Sequence, residues 1–504
     1  MEKRLLITIA LSILVVTVWS TLSPKPQPIA DKGVIAQAVL QKEAEQASTQ
    51  AVAAQEQIAP EVLATFANSR LEVDFIESTA AIKQVRFKNY KNTPFMLRQG
   101  FALGDKSLVF SKSDSTPESI TFVHKDREKI VSKKYIFSNS NYAIDLEVTV
   151  KNLTSLPILL GTPVILGVLD YSQAGPDSSF EDVAISSAEK TKHYNPRKGV
   201  SIHAVKFIGL RDKYFCAILE AGVASQSGFI NKLPDNKSEI GITSKEVQVP
   251  ANVQIGHLYH LYLGPQRIEL INQVKPEWAS IINYGTFDFI AQILLMLLEF
   301  IYKLVHSWGW TIVIFSFAVY FLLYPLSIKQ MRSMKEMQVL QPKIEALRKN
   351  YKDNPQRLNK EIMELYKEHK VNPFSGCLPL LLQMPIFFAL YQVLMRSVVL
   401  KGTSFLWIKD LSLPDRLVTF SQKLPIVGSE INILPILMAI GMFVQQKLTV
   451  VSADSSTAEQ QKIMTLVFPL MFGVLFYRMP SGLVIYWLIN STLMLIMQLR
   501  SRRT

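Results

Sequence analysis

The chain has 504 residues, of which 49% are apolar and 19% charged, and its net charge is +13. A positive mean hydropathy excludes an ordinary soluble globular protein, and so many charges exclude a chain buried wholly in lipid, so soluble and membrane parts are expected together. Its two cysteines, Cys216 and Cys377, cannot build a disulfide framework, and both read as packing residues.

Residues Leu5 to Leu22 form an 18-residue apolar run behind Lys3 and Arg4. The run is long for a cleaved signal and no clear Ala-x-Ala site follows, so it reads as an uncleaved transmembrane signal anchor, residues 1–22. No cysteine follows it, which excludes a lipoprotein signal. Residues 23–60 open with Pro24, Pro26 and Pro28 and stay rich in Pro, Ala, Gln and Glu, the composition of a linker.

From residue 61 to 272 the pattern turns to period two. Ile144, Leu146, Val148 and Val150 alternate with Asp145, Glu147, Thr149 and Lys151, and Leu71, Val73 and Phe75 do likewise. This is a β-rich domain whose strands each bury one face. His257 and His260 stand three apart in a strand-like stretch, on opposite faces, so they are not expected to share a metal. No nucleophile–base or paired-carboxylate constellation stands out, and no catalysis or cofactor is expected.

Residues 273–306 end in a mostly apolar segment in which Asp288, Gln292, Glu299, Lys303 and His306 recur near the helical period. One polar face on an apolar helix predicts an element lying along the membrane interface; the alternative, a further span, would move the Lys-rich segment after it outside, against the positive-inside rule. Residues 307–504 then hold further spans at Trp308–Ile328, Phe374–Met395, Ile431–Val444, Ile463–Tyr477 and Gly482–Leu499, six in all with the anchor. The fourth and fifth are short for a hydrocarbon core of about 30 Å, which flanking residues or local thinning would absorb.

Between the second and third spans, residues 329–371 carry two amphipathic stripes, Leu340–Ile344–Leu347 and Leu358–Ile362–Leu365, with Asp353-Asn354-Pro355 as a turn. They should pair as a helical hairpin. Eleven Lys and Arg between Lys329 and Lys370, with the basic tail at Arg500, Arg502 and Arg503, put both segments in the cytoplasm. The β-domain and the loop near Lys401 then fall outside, in the periplasm. Lys349, Lys352 and Arg357, at the hairpin tip, could meet ribosomal RNA, anionic lipid or an acidic partner; a solvated basic face that only fixes topology is the plain alternative.

The spans carry Thr311, Ser316, Tyr320, Gln383, Gln392, Thr465, Tyr486, Asn490, Ser491 and Thr492, with no Asp, Glu, Lys or Arg away from their ends. Some could line a wet internal surface, while for any one residue interhelical hydrogen bonding is an equal reading. The missing mid-span charges argue against an ion-coupled transporter. Five C-terminal spans are more than a periplasmic protein needs for anchorage. Arg396 and Arg478, at outer span ends, are expected to snorkel to the head groups.

Several motifs in one order carry a resemblance: Tyr324-Pro325-Leu326, Leu340-Gln341-Pro342-Lys343-Ile344, the run from Asn372 to Tyr391 with Pro379, Gln383 and Pro385, Gln460-Gln461-Lys462-Ile463-Met464-Thr465, and Pro480-Ser481-Gly482-Leu483-Val484-Ile485-Tyr486. Together they resemble the YidC/Oxa/Alb family of membrane protein insertases, in its Gram-negative form with a large periplasmic domain. The resemblance implies a polytopic α-helical bundle, a five-helix insertase core plus the N-terminal anchor helix, with a periplasmic β-sandwich of supersandwich type. It implies an inner-membrane chaperone that inserts nascent membrane proteins, alone or with the Sec translocon, through a hydrophilic groove open to cytoplasm and lipid. Thr311, Ser316, Tyr320, Gln383, Gln392, Tyr486 and Asn490 would be its lining. Nascent membrane proteins, the Sec translocon, the ribosome and membrane lipids would be the partners, with no specific nucleic-acid sequence. One departure stands out. Where the family pattern has a groove arginine, four residues before Tyr-Pro-Leu, this chain has Tyr320.

Overall fold

A computed structural model describes residues 62–161, 163–172, 175–187, 190–222, 227–243, 246–351, 354–369, 371, 378–424, 428–449 and 455–503. The expected anchor at 1–22, the linker at 23–60, Lys352 and Cys377 lie outside the described residues.

The period-two segments form strands with the expected sidedness. Along Ala143–Asn152, Ile144, Leu146, Val148 and Val150 are buried, while Asp145, Glu147 and Lys151 are exposed. This strand lies inside a nine-stranded antiparallel sheet whose spatial order is 191–194, 182–187, 205–211, 215–221, 254–265, 143–152, 129–137, 119–125 and 111–115. A five-stranded sheet (200–203, 227–233, 237–243, 164–170, 102–103) and a four-stranded one (63–67, 71–76, 81–87, 93–100) pack onto it. Phe75 meets Phe122 and Tyr135, and Phe87 stacks on Phe215 with ring centres 4.2 Å apart. Gly167 and Gly228 let the five-stranded sheet close against Leu210, Val205 and Ile185. The result is a two-layer sandwich with an aromatic core.

Two buried charges are built into that core. Lys133 donates through Nζ to the carbonyls of Ala80 (2.6 Å) and Phe101 (2.7 Å), residues held at φ 47° and 59°. Arg211 forms an ion pair with Asp182 and reaches the carbonyl of Asn283 at 3.2 Å. Cys216 is fully buried. His260 pairs with Asp145 at 2.8 Å.

Helix α1 spans Asp288–Val305 and presents three faces. Ala291, Leu294, Leu298 and Ile301 are buried against the bundle. Phe289, Ile293, Met296, Phe300 and Leu304 form an exposed apolar stripe, and the polar stripe of Asp288, Gln292, Glu299 and Lys303 runs beside it.

Helix α2, Trp308–Asn350, is a single 43-residue helix. The apolar span ends at Ile328, and the segment that follows is rich in Lys, Met, Gln and Glu, strong helix formers with no glycine among them, so the helix continues. Helix α3, Pro355–Glu368, folds back onto it, with the Asn354 side chain accepting from the Arg357 N–H as its cap. Leu340, Ile344 and Val371 are buried at their contact, with Ile362 and Leu365 packed against them, so the hairpin forms as its stripes require.

Helices α4 (Leu378–Arg396), α5 (Ile433–Thr449), α6 (Ser455–Phe476) and α7 (Ser481–Arg503) complete the bundle. Phe387 on α4, Phe472 and Phe476 on α6 and Trp487 on α7 interlock, with ring centres 5.1–5.8 Å apart across the helix contacts. Outward faces stay apolar: Phe317, Phe321 and Leu322 on α2, Ile436, Leu437 and Ile440 on α5, and Leu466, Leu470 and Val474 on α6 are all exposed. Apolar surface of that extent needs lipid against it. By length and composition Trp308–Asn350 and Ser481–Arg500 suffice to cross a membrane, with shorter apolar stretches at Ile433–Leu448 and Thr465–Phe476.

Candidate functional site

The polar residues of the spans differ in how far they are covered. Near the start of α2, Thr311 and Ser316 are fully buried, and their hydroxyls donate back to Ser307 and Ile312 at 2.8 and 2.7 Å. Back-bonding to the preceding turn satisfies a hydroxyl without any partner helix. Beside them Tyr486 is also fully buried, its ring 6.0 Å from Phe315. Among the described residues its hydroxyl has no partner at hydrogen-bonding distance, though Gln383 of α4 lies near it. A buried phenol left open is costly, so this is a point of unspent polar capacity inside the bundle.

Ser327, further along α2, is buried again and donates to the Leu323 carbonyl at 3.1 Å, whereas three other polar residues are less covered. Tyr320, Gln383 and Asn490 are half-buried. Tyr320 reaches across to α7, donating to the Leu493 carbonyl at 3.4 Å and lying 3.3 Å from the Met497 sulfur. Asn490 donates to the Tyr486 carbonyl at 2.9 Å and keeps its side-chain oxygen free of any such bond among the described residues. Gln392 is elsewhere, at the far end of α4, where its amide oxygen meets Arg396 at 3.5 Å.

Arg396 does not snorkel. Its guanidinium turns into the sandwich domain, 3.4 Å from the carbonyls of both Phe180 and Asp212 and over the Phe180 ring. Lys91 makes a second crossing from the domain to the Gly402 carbonyl at 2.6 Å. Burial pushes the Asp212 carboxyl up to about 6, the nearby Asp177 carboxylate acting in the same direction. Arg478 is exposed, as an interfacial cation should be. No local signal in the sequence marks Arg396 as a joint, because its partners are some 180 residues and more away.

The loop between α4 and α5 is firmly built. Asp415 accepts from the Ile433 N–H at 2.8 Å at the start of α5, and buried Asn432 donates to the Tyr477 carbonyl at 2.9 Å. Tyr477 in turn donates to the Glu430 carbonyl at 2.9 Å. On the hairpin, Arg357 is engaged with Glu361 at 3.8 Å and lies over the Tyr351 ring, while Lys349 is exposed. Among the described residues no group of three or more His, Cys, Asp and Glu could hold a metal ion.

A β-rich extracytoplasmic-type domain joined through the half-buried Arg396 to a bundle of apolar helices defines an integral membrane protein that carries a large soluble domain. Residues 300–504 match the family described as 60Kd inner membrane protein, and residues 98–297 match the YidC periplasmic domain. A membrane protein insertase YidC from Pelobacter propionicus is 33% identical, over 98% of this chain and 97% of its own length. Those of Geobacter metallireducens and Syntrophus aciditrophicus are 32% and 35% identical, over 99% and 78% of this chain and 98% and 71% of their own lengths. The chain belongs to the YidC family of membrane protein insertases, inner-membrane proteins with a periplasmic domain. A galactose mutarotase-like protein from Lactobacillus casei aligns over 40% of this chain and all of its own at 10% identity, but its TM-score of 0.32 supports no conclusion about activity.

Proposed function

We propose that this chain inserts and folds nascent inner-membrane proteins through a groove lined by Tyr320, Gln383, Tyr486 and Asn490, without a catalytic step or cofactor. The carrying observation is a contrast in burial, complete at Thr311, Ser316 and Tyr486 and partial at Tyr320, Gln383 and Asn490. Such a surface admits a polar segment from one side and stops it before the other. A client's hydrophilic flank recovers some of its lost hydration there, while its apolar helix moves along the exposed faces of α2, α5 and α6 into lipid. Amides and phenols suit this task because each holds many sequences weakly.

In the same reading five C-terminal helices span the bilayer with the N-terminal segment as a sixth, both termini and the α2–α3 hairpin are cytoplasmic, and α1 rests on the outer surface. The Lys/Arg asymmetry supports that orientation. The Sec translocon and the ribosome are the partners this topology suits, the basic hairpin meeting the ribosome or anionic lipid. A photocrosslinker at Gln383 or Asn490 should capture stalled nascent membrane proteins, and one at Thr311 should not. Continued insertion with no capture at Gln383 or Asn490 would sink the groove assignment.

A further inference from the structure

We propose that Leu406 and Trp407, the tip of the loop between α4 and α5, dip into the head-group boundary of the lipid leaflet beside α2 and anchor the outer rim of the bundle. This rests on the reading that the start of α2 lies at the outer membrane surface.

The tip is held from below. Val398, Leu400, Ile408 and Leu411 are buried, the Thr403 hydroxyl donates to the Val399 carbonyl at 2.8 Å, and the Leu411 N–H donates to the Thr403 carbonyl at 2.9 Å. Phe405 and Ile408 exchange two backbone hydrogen bonds of 2.9 Å, leaving Leu406 and Trp407 as the two residues of a tight turn. Leu406 sits at φ 53°, the left-handed region that favours glycine or asparagine and strains other residues. Either of those would make the turn with less strain, so the leucine side chain is explained by what it touches. Within the protein it touches little: Leu406 is 71% exposed and Trp407 41%.

What lies beside the tip identifies its occupant. Phe405 packs on Gly309 and makes an edge contact with Trp310, ring centres 5.5 Å apart, in the first turn of α2. Trp310 is 53% exposed, and Ile314, Phe317 and Phe321 continue the exposed apolar face down the helix. The tip therefore extends the lipid-facing surface without a gap. Trp407 turns its Nε1 towards Asp415 at 3.5 Å, and Lys409 stands exposed next but one. A tryptophan with its polar edge satisfied and a lysine beside it is the composition of a membrane boundary, where amphipathic groups settle about 5–10 Å into the head-group and acyl junction.

The test places an environment-sensitive fluorophore at Leu406→Cys in full-length protein with Cys377→Ser, reconstituted in phosphatidylethanolamine–phosphatidylglycerol vesicles; Cys216 is buried and stays. Ser404→Cys provides a second position on the same loop, and Ser140→Cys, exposed on a sandwich turn, reports water. The expected result is blue-shifted emission at 406, quenched more by lipid spin-labelled near the carbonyl than near the chain end, weaker quenching at 404 and none at 140. Water-like, unquenched emission at 406 overturns the proposal. So does blue-shifted emission that neither lipid quenches, which would mean that protein covers the tip. Client insertion by the same vesicles is scored separately, so a failure of the insertase reading is told apart from a failure of the anchor.

Discussion

Tyr320 occupies the position where the family pattern carries an arginine, and its phenol reaches the neighbouring helix where a guanidinium would reach into a groove. Its bond to the Leu493 carbonyl is long at 3.4 Å, and its other polar contact is to the soft Met497 sulfur, a weak acceptor. Tyr320→Phe should lower insertion only mildly, with Gln383 and Asn490 still offering hydrogen bonds. Tyr320→Arg should accumulate normally and favour clients with acidic N-terminal tails, since a guanidinium takes a carboxylate by two parallel bonds that a phenol cannot make. Comparing insertion of acidic-tailed and neutral-tailed clients checks both; degradation of the arginine variant would show that the position packs against dry core. Lys133 makes a second prediction. Burial pulls its ammonium down to about 7. Between that value and the usual lysine range the unfolded chain binds the proton and the folded chain does not, so stability rises with pH across this window, by at most about 1.4 kcal/mol per pH unit. Urea resistance of the sandwich to proteolysis in the full-length protein, compared at pH 7 and about pH 9, should show that rise in the parent, and Lys133→Met should flatten it. Of the residue-level picture, the polar lining was readable because hydroxyls and amides are conspicuous in apolar runs. Which of them are sealed was not, since Thr311 and Tyr320 look alike until α7 is laid beside them.

Among the elements, the α2–α3 hairpin tests whether charge or shape governs contact. Leu340 and Ile344 are committed to the hairpin's own core, so the apolar stripe is not what meets a partner. Reversing Lys349, Lys352 and Arg357 to Glu should weaken ribosome co-sedimentation or liposome binding while the spans stay folded, at a cost near 0.5 kcal/mol for the lost Arg357–Glu361 pair. Unchanged binding to both at low and physiological salt would leave the hairpin only its role in topology. Both amphipathic stripes and the strand alternation at 143–152 were legible because each has a single buried side. The length of α2 was not, because a change from apolar to charged composition looks like an end although nothing in residues 329–339 breaks a helix. The short fourth and fifth spans divide likewise: α6 is 22 residues long, and only its apolar part is short.

Over the whole molecule, the question is how far the sandwich and the bundle depend on each other. The groove candidates draw their bonds from α2, α4 and α7 alone, so a chain lacking residues 65–265 should retain most of its insertion activity. The loss it does suffer should trace to Arg396, which would be stranded without the carbonyls of Phe180 and Asp212. Adding Arg396→Gln to the truncated chain should therefore restore membrane levels, as quantitative blotting and rescue of a depletion strain would report. Removing Phe287 to His306 should not be tolerated, because α1 packs Ala291, Leu294 and Leu298 into the bundle. The two-part architecture was plain from composition; the joint between the parts was not, because an arginine at a span's end has the same local context whether it meets head groups or another domain.

The unbroken course of α2 has a mechanical consequence. At about 1.5 Å per residue its 43 residues extend about 64 Å, twice the thickness of the hydrocarbon slab, so the rod that frames the groove is also the shaft that carries the hairpin. A tilt of about 10° at the outer end, well within what spans adopt, sweeps the far end through about 11 Å. Pro325 and Pro342 each remove one rung from the helix ladder, and a shaft gives first at such points. A load on the hairpin therefore reaches the wall of the proposed groove only through the yielding point at Pro325.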